Sequence, residues 1–302
     1  MPKAGTRDGL KRLGFWVGRA MTVLGLGFVA WMLWSQWGQI NAREPVTFHL
    51  ALGTVCLAIA YAAMMVLQAL NWTTILFTLL PDPAPRAHLF LSYTKSQVAK
   101  YLPGNVMHLA SRHLYLRELG LPHLPLAKAS LCEMVLQPVH AAITICLIAV
   151  FMSGLTVAGW DVSGLAPYAL AGLVVISFGL IYWLCKPLIW AASLVIVRGI
   201  VFMLSLGTIF ALTLQLVSAD FVGFAVPVSI IAWLIGFLTP GVPGGIGVRE
   251  AAMIALLTGP LPADDVLIAV IVFRFVTTIG DLLIYLAGNL FAAYMMPPKS
   301  AE

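Results

Sequence analysis

Charge is scarce in this chain. Lys, Arg, Asp and Glu make up 10% of its 302 residues, where a soluble domain carries about a quarter. That shortage excludes an ordinary water-soluble globule, and the modest net charge of +5 gives no footing for nucleic acid. The basic residues lie near the ends of apolar runs, where the positive-inside rule puts them. Cysteine is scarce too: Cys56, Cys132, Cys146 and Cys185 all sit in apolar runs and none forms a C-x-x-C pair. Inert buried thiols are therefore expected, rather than a redox or metal centre. Catalytic signatures are missing as well. There is no H-E-x-x-H and no Gly-x-Ser-Gly elbow, and the glycine-rich run 241–247 lacks the Lys-Ser/Thr of a phosphate loop. No enzyme activity, cofactor or metal is expected, and no nucleotide-binding block suggests direct drive by ATP.

What is abundant is apolar length. Runs able to cross a bilayer fall at about 13–37, 46–70, 127–151, 165–185, 198–216 and 266–293. The first follows Lys3, Arg7, Lys11 and Arg12 and closes on Trp31, Trp34 and Trp37. It is too long for a signal sequence and reads as a retained span. The second continues to Leu80, where Pro81-Asp82-Pro83 stops it. Residues 187–197 read as a short interfacial helix.

Two segments fit no simple span. Residues 89–125 carry Lys95, Lys100, Arg112, His113 and Arg117 around Pro103-Gly104. Residues 221–257 are apolar but broken by Thr239-Pro240-Gly241-Val242-Pro243-Gly244-Gly245-Ile246-Gly247. Both read as re-entrant helical hairpins, since broken backbone at membrane depth survives only where protein or a wet cavity covers it. With the N-terminus inside, nearly all loop Lys and Arg fall on the inner side and Asp161, Asp220, Asp264 and Asp265 on the outer. This partition requires the hairpins to enter from opposite faces. The expected fold is an all-α integral membrane protein, one domain over residues 1–302. It has about six spanning helices, two re-entrant hairpins and both termini cytoplasmic. Paired broken elements in the two halves of a chain mark a transporter binding site.

Charges inside the spans are the candidate functional residues, because each costs roughly 2.5–3.5 kcal/mol at the bilayer centre on insertion scales. They are Glu133 and His140 in the third span, Arg249 and Glu250 in the second hairpin, and Arg274 and Asp281 in the last span. Arg274 and Asp281 lie two turns apart on one face; Glu133, Gln137 and His140 share another. Glu133, His140 and Asp281 are candidates for coupling or pairing. Lys100 and Arg112 are read as the inner gate of the ligand path, although a solvated interfacial loop fits them too. Gly244, Gly245 and Gly247 begin a helix whose free N–H groups, with Arg249 and Arg274, form a candidate anion site. Glu250 and Asp281 are expected to pair with the two arginines while that site is empty. The alternative is a set of permanent ion pairs that only lock helices together. His108, His113 and His123 read as interfacial.

The order Asn71-Trp72, then Lys100-Tyr101-Leu102-Pro103-Gly104-Asn105-Val106 with Arg112, resembles the first signature of the lysylphosphatidylglycerol synthase transmembrane-region family. Pro243-Gly244-Gly245-Ile246-Gly247-Val248-Arg249-Glu250-Ala251 resembles its second, and Phe273-Arg274-Phe275 its third. The likeness extends over about residues 60–295. It implies a flippase-like domain with two re-entrant hairpins around a central cavity, here without the soluble synthase block. It implies as partner a membrane phospholipid or a lipid-linked glycan, in a bacterial cytoplasmic (inner) membrane. A homo-oligomer is compatible with it. An ion-coupled carrier of a small soluble anion and an accessory subunit of a lipid-glycosylation system are the competing readings.

Overall fold

The computed structural model describes residues 47–295 except 83, 103–105, 152–155, 158–159, 162–163, 219–221 and 240–246; of the first 46 residues it describes three. The expected first span, 13–37, therefore lies outside the described residues.

Nine α-helices account for most of the described chain: α1 (Phe48–Leu79), α2 (Arg86–Ser96), α3 (Met107–Glu118), α4 (His123–Phe151), α5 (Ala166–Leu184), α6 (Ala192–Ser218), α7 (Ala225–Leu238), α8 (Val248–Leu257) and α9 (Ala263–Met295). A two-residue antiparallel ribbon, Thr156–Val157 against Trp160–Asp161, decorates the α4–α5 connection. Five helical stretches, 48–79, 123–151, 166–184, 186–218 and 263–294, are long and apolar enough to cross a bilayer. The protein is an all-α membrane protein.

Local sequence sets where these helices begin and end. Thr47 caps α1 by accepting from the Leu50 N–H at 3.2 Å. The helix stops when Leu80 turns extended ahead of Pro81. Inside α4, Pro138 removes one backbone donor at mid-helix. Residues 187–197 do not form the separate interfacial helix expected. A 3₁₀ turn, Lys186–Ala191, gives way at once to α6, which runs straight through Arg198. No Pro or Gly interrupts 192–198, Val195 and Ile196 are buried, and the Arg198 guanidinium donates to the Thr74 hydroxyl at 3.2 Å.

The broken segments are helical hairpins. In the first, α2 continues through a 3₁₀ turn, Gln97–Tyr101, and α3 returns. Its root residues His88 and Leu119–Pro122 border the same 410 Å³ cavity as Leu80–Pro81, so the hairpin starts and finishes at the Leu79 end of α1. In the second, α7 and α8 pack against each other between the Ser218 end of α6 and the Ala263 end of α9. Leu50, Leu216, Val217 and Ile268 share one cluster, which puts those two ends beside the Phe48 end of α1. The hairpins thus enter the bundle from opposite ends.

Helix α9 is the central pillar: 72% of its most apolar window is buried, against 11% for the peripheral α5. It packs closest on α1, where Gly280 faces the Tyr61 ring and the Ala58 carbonyl. A Cβ at position 280 would stand 2.9 Å from that backbone oxygen, so only glycine permits the approach.

Candidate functional site

The polar side chains converge halfway along the long helices. Arg274 and Asp281 straddle the midpoint of α9, a helix of 33 residues and so about 50 Å long. Tyr61, Met65 and Gln68 lie near the middle of α1, and Glu133, Gln137 and His140 near the middle of α4. Between them is a cavity of about 110 Å³, lined by residues of α1, α4, α6, α7, α8, α9 and both helices of the first hairpin. A smaller lobe of about 30 Å³ adjoins it and shares Tyr61, Trp233, Arg249, Arg274 and Thr277.

Each hairpin tip is tied to α9 by an ion pair. From the first, Lys100 pairs with Asp281, and the Tyr101 hydroxyl donates to the same Asp281 oxygen at 2.6 Å. From the second, Glu250 pairs with Arg274 at 3.3 Å. The expected Glu250–arginine pair is therefore present, whereas Asp281 does not pair with an arginine. Burial explains the difference. Asp281 is 1% exposed and points at the first hairpin, whose Lys100 reaches it from the 3₁₀ turn. Arg274, two turns away, meets the second hairpin instead.

Arg112 is held differently. It is 2% exposed, donates to Glu133 at 2.6 Å and to the Ser96 hydroxyl at 2.8 Å, and lies over the rings of Tyr93 (4.0 Å) and Trp72 (4.9 Å). Its pairing ties α2, α3 and α4 together at the level of the central cavity. Lys100 and Arg112 both line the central cavity at mid-depth. Glu133, a candidate coupling group, is committed to Arg112 and also accepts from Gln137 at 3.2 Å. His140 does not line the cavity; it is buried with both ring nitrogens unpartnered, its ring against Gly199 of α6.

Gly244 and Gly245 lie outside the described residues, as do Pro103-Gly104-Asn105. At Gly247 the expected free N–H is already engaged: Glu250 reaches back and accepts it at 2.6 Å. The start of α8 is thus capped by its own carboxylate, and the cations rather than this N–H are available to a ligand.

The sequence-based reading missed several lining residues: Tyr61, Gln68, Tyr93, Gln97, Tyr101 and Trp233. Gln68 was discoverable, because an amide inside an apolar span needs a protein partner or water. His108, expected at the interface, lines the cavity with its Nδ1 buried and unpartnered. His113 and His123 stack on each other in an exposed pair, 2.9 Å between ring nitrogens.

Arg249 is the one cation of the four lining the cavity that has no carboxylate within ion-pair distance among the described residues. Its side chain lies along Gly236 of α7, where any Cβ would collide with it, and its guanidinium sits 5.6 Å from the Trp233 ring centroid. Three cations are matched by three carboxylates and the fourth is not, so the cavity has a net positive interior suited to an anion. No family model, curated protein or solved structure matches the chain.

Proposed function

We propose that this chain carries an anionic lipid, a phospholipid or a lipid-linked glycan, between the leaflets of a bacterial inner membrane, with both termini cytoplasmic. The observation that carries this reading is Arg249, an unmatched guanidinium on a cavity midway along the spanning helices. An uncompensated charge at that depth is costly, and an incoming phosphate supplies the missing counter-charge. Arg274 stands beside it with Nε and Nη2 unpartnered, so two guanidinium groups can hold one phosphate through charge-assisted contacts. Glu250 releases Arg274 when the phosphate arrives and reclaims it when the phosphate leaves. Exchange of one anionic partner for another keeps both loading and release shallow in energy.

The test is translocation in proteoliposomes, read by bleaching of acyl-chain-labelled phosphatidylglycerol from outside. The wild type is expected to speed transfer over empty vesicles, and Arg249→Gln to slow it at least about tenfold, the loss of one charged contact. Full transfer by Arg249→Gln removes this reading. Thermal stabilisation by inorganic phosphate equal to that by the lipid assigns the cavity to a soluble anion instead.

A further inference from the structure

Among the described residues, ten buried side-chain nitrogen or oxygen atoms lack a hydrogen-bond partner, and six of them belong to the central cavity. They are Gln68 Nε2, His108 Nδ1, Arg249 Nε, Arg274 Nε and Nη2, and Asp281 Oδ1. Buried polar groups in native proteins are nearly always satisfied, and each orphan costs about 1–3 kcal/mol. Concentration of the orphans around one cavity therefore describes the hydrogen-bonding pattern of what fills it.

The six atoms divide into two sets. Arg249 and Arg274 offer three fixed N–H donors with positive charge, the complement of a phosphate. The second set lies deeper toward the first hairpin. Asp281 is two turns along α9 from Arg274, about 10 Å. Gln68 is two turns along α1 from Tyr61, which lines both lobes beside Arg249 and Arg274. This second set is mixed: Gln68 Nε2 donates, Asp281 Oδ1 accepts, and His108 Nδ1 does either according to its tautomer. Gln68 and Asp281 are 4% and 1% exposed, so their unpartnered atoms depend on what occupies the cavity.

A hydroxyl satisfies both ends of that set, accepting from Gln68 and donating to Asp281. An ammonium can donate to Asp281 but leaves Gln68 unmade. It would also meet Lys100, which already neutralises that carboxylate, and Arg112 across the same cavity. A bare phosphate monoester fills the first set and leaves the second empty. The cavity wall includes Trp233 stacked on Phe237, centroids 5.0 Å apart, an apolar face on which the C–H groups of a polyol or sugar can rest.

Resting on the reading of the cavity as an anionic-lipid site, we propose that its ligand is a phosphodiester lipid with an uncharged, hydroxyl-rich head group. The phosphate lies on Arg249 and Arg274, and the polyol or sugar hydroxyls lie between Gln68 and Asp281. Amine-bearing head groups are disfavoured.

The purified full chain is tested by native mass spectrometry against four probes of matched acyl chains: phosphatidylinositol, phosphatidylglycerol, phosphatidic acid and phosphatidylethanolamine. The first two are expected to bind at least about tenfold more tightly than the last two, the worth of one buried hydrogen bond. Gln68→Met, close in shape and lacking the unpartnered Nε2, is expected to bring phosphatidylglycerol down to the level of phosphatidic acid while leaving phosphatidic acid unchanged. The proposal is overturned if phosphatidic acid matches phosphatidylglycerol, if phosphatidylethanolamine binds best, or if Gln68→Met preserves the preference. Equal binding of the three acidic lipids above phosphatidylethanolamine removes only the polyol assignment. Failure of every acidic lipid to exceed phosphatidylethanolamine removes the anionic-lipid reading as well. If Gln68→Met does not fold, the wild-type ranking of the four lipids decides.

Discussion

Two arginines of similar sequence context have opposite physical roles. Arg112 has a carboxylate, a hydroxyl and two aromatic rings around it. Arg249 has an aromatic ring and an open cavity. Arg112→Gln leaves Glu133 buried and unpaired, a change that costs on the order of 3–5 kcal/mol where one partner of a buried pair is removed. A clear drop in melting temperature is expected, and Arg112→Gln/Glu133→Gln should recover part of it. Arg249→Gln leaves no carboxylate orphaned and should melt at or above the wild type in lipid-free detergent. Differential scanning fluorimetry on the four proteins measures this. If Arg249→Gln is the less stable of the two single variants, the assignment of roles is reversed.

At the scale of elements, α9 presents its two buried charged side chains, Arg274 and Asp281, to hairpins arriving from opposite ends. Tyr101 and Lys100 meet Asp281; Glu250 meets Arg274. The two contacts involve different residues of different hairpins, so they should open independently. Asp281→Asn is expected to raise amide hydrogen exchange in Gln97–Tyr101 and leave Val248–Leu257 near wild type. Glu250→Gln should do the reverse, aided by the loss of charge at its Gly247 contact. A joint response of both hairpins to either substitution argues that they move as one body. The first hairpin was legible in the sequence because a segment so charged around Pro103-Gly104 cannot face lipid, the second because Pro and Gly interrupt its apolar run. The boundary of α6 was not, because a charge at Arg198 looks like a helix end until the Thr74 hydroxyl is brought to it by packing.

For the whole molecule, the collection of Lys and Arg at one set of helix ends predicts the orientation. Lys186 and Asp264 lie at opposite ends of the bundle in the fold, one after α5 and the other at the start of α9. Single cysteines at these positions, in a background with the four native cysteines replaced, are expected to label from opposite sides, position 264 from outside and 186 from within. Labelling of both from one side overturns the topology. The five described spans and the existence of two hairpins were legible in the sequence alone, because a bilayer of fixed thickness turns hydropathy directly into span length. So were the buried Glu133, Arg274 and Asp281, since few charged residues interrupt the apolar runs; the burial of Arg112, read at the inner gate, was not. Which charge neutralises which was decided only by the tertiary structure. Tyr101 and Asp281 are separated by 180 residues, and no local pattern encodes a contact at that distance. It arises from the close approach of α1 to α9 and the depth to which the first hairpin descends. The same packing left Arg249 without a carboxylate partner among the described residues and set Gln68 and His108 around one cavity, because each sits where several helices meet.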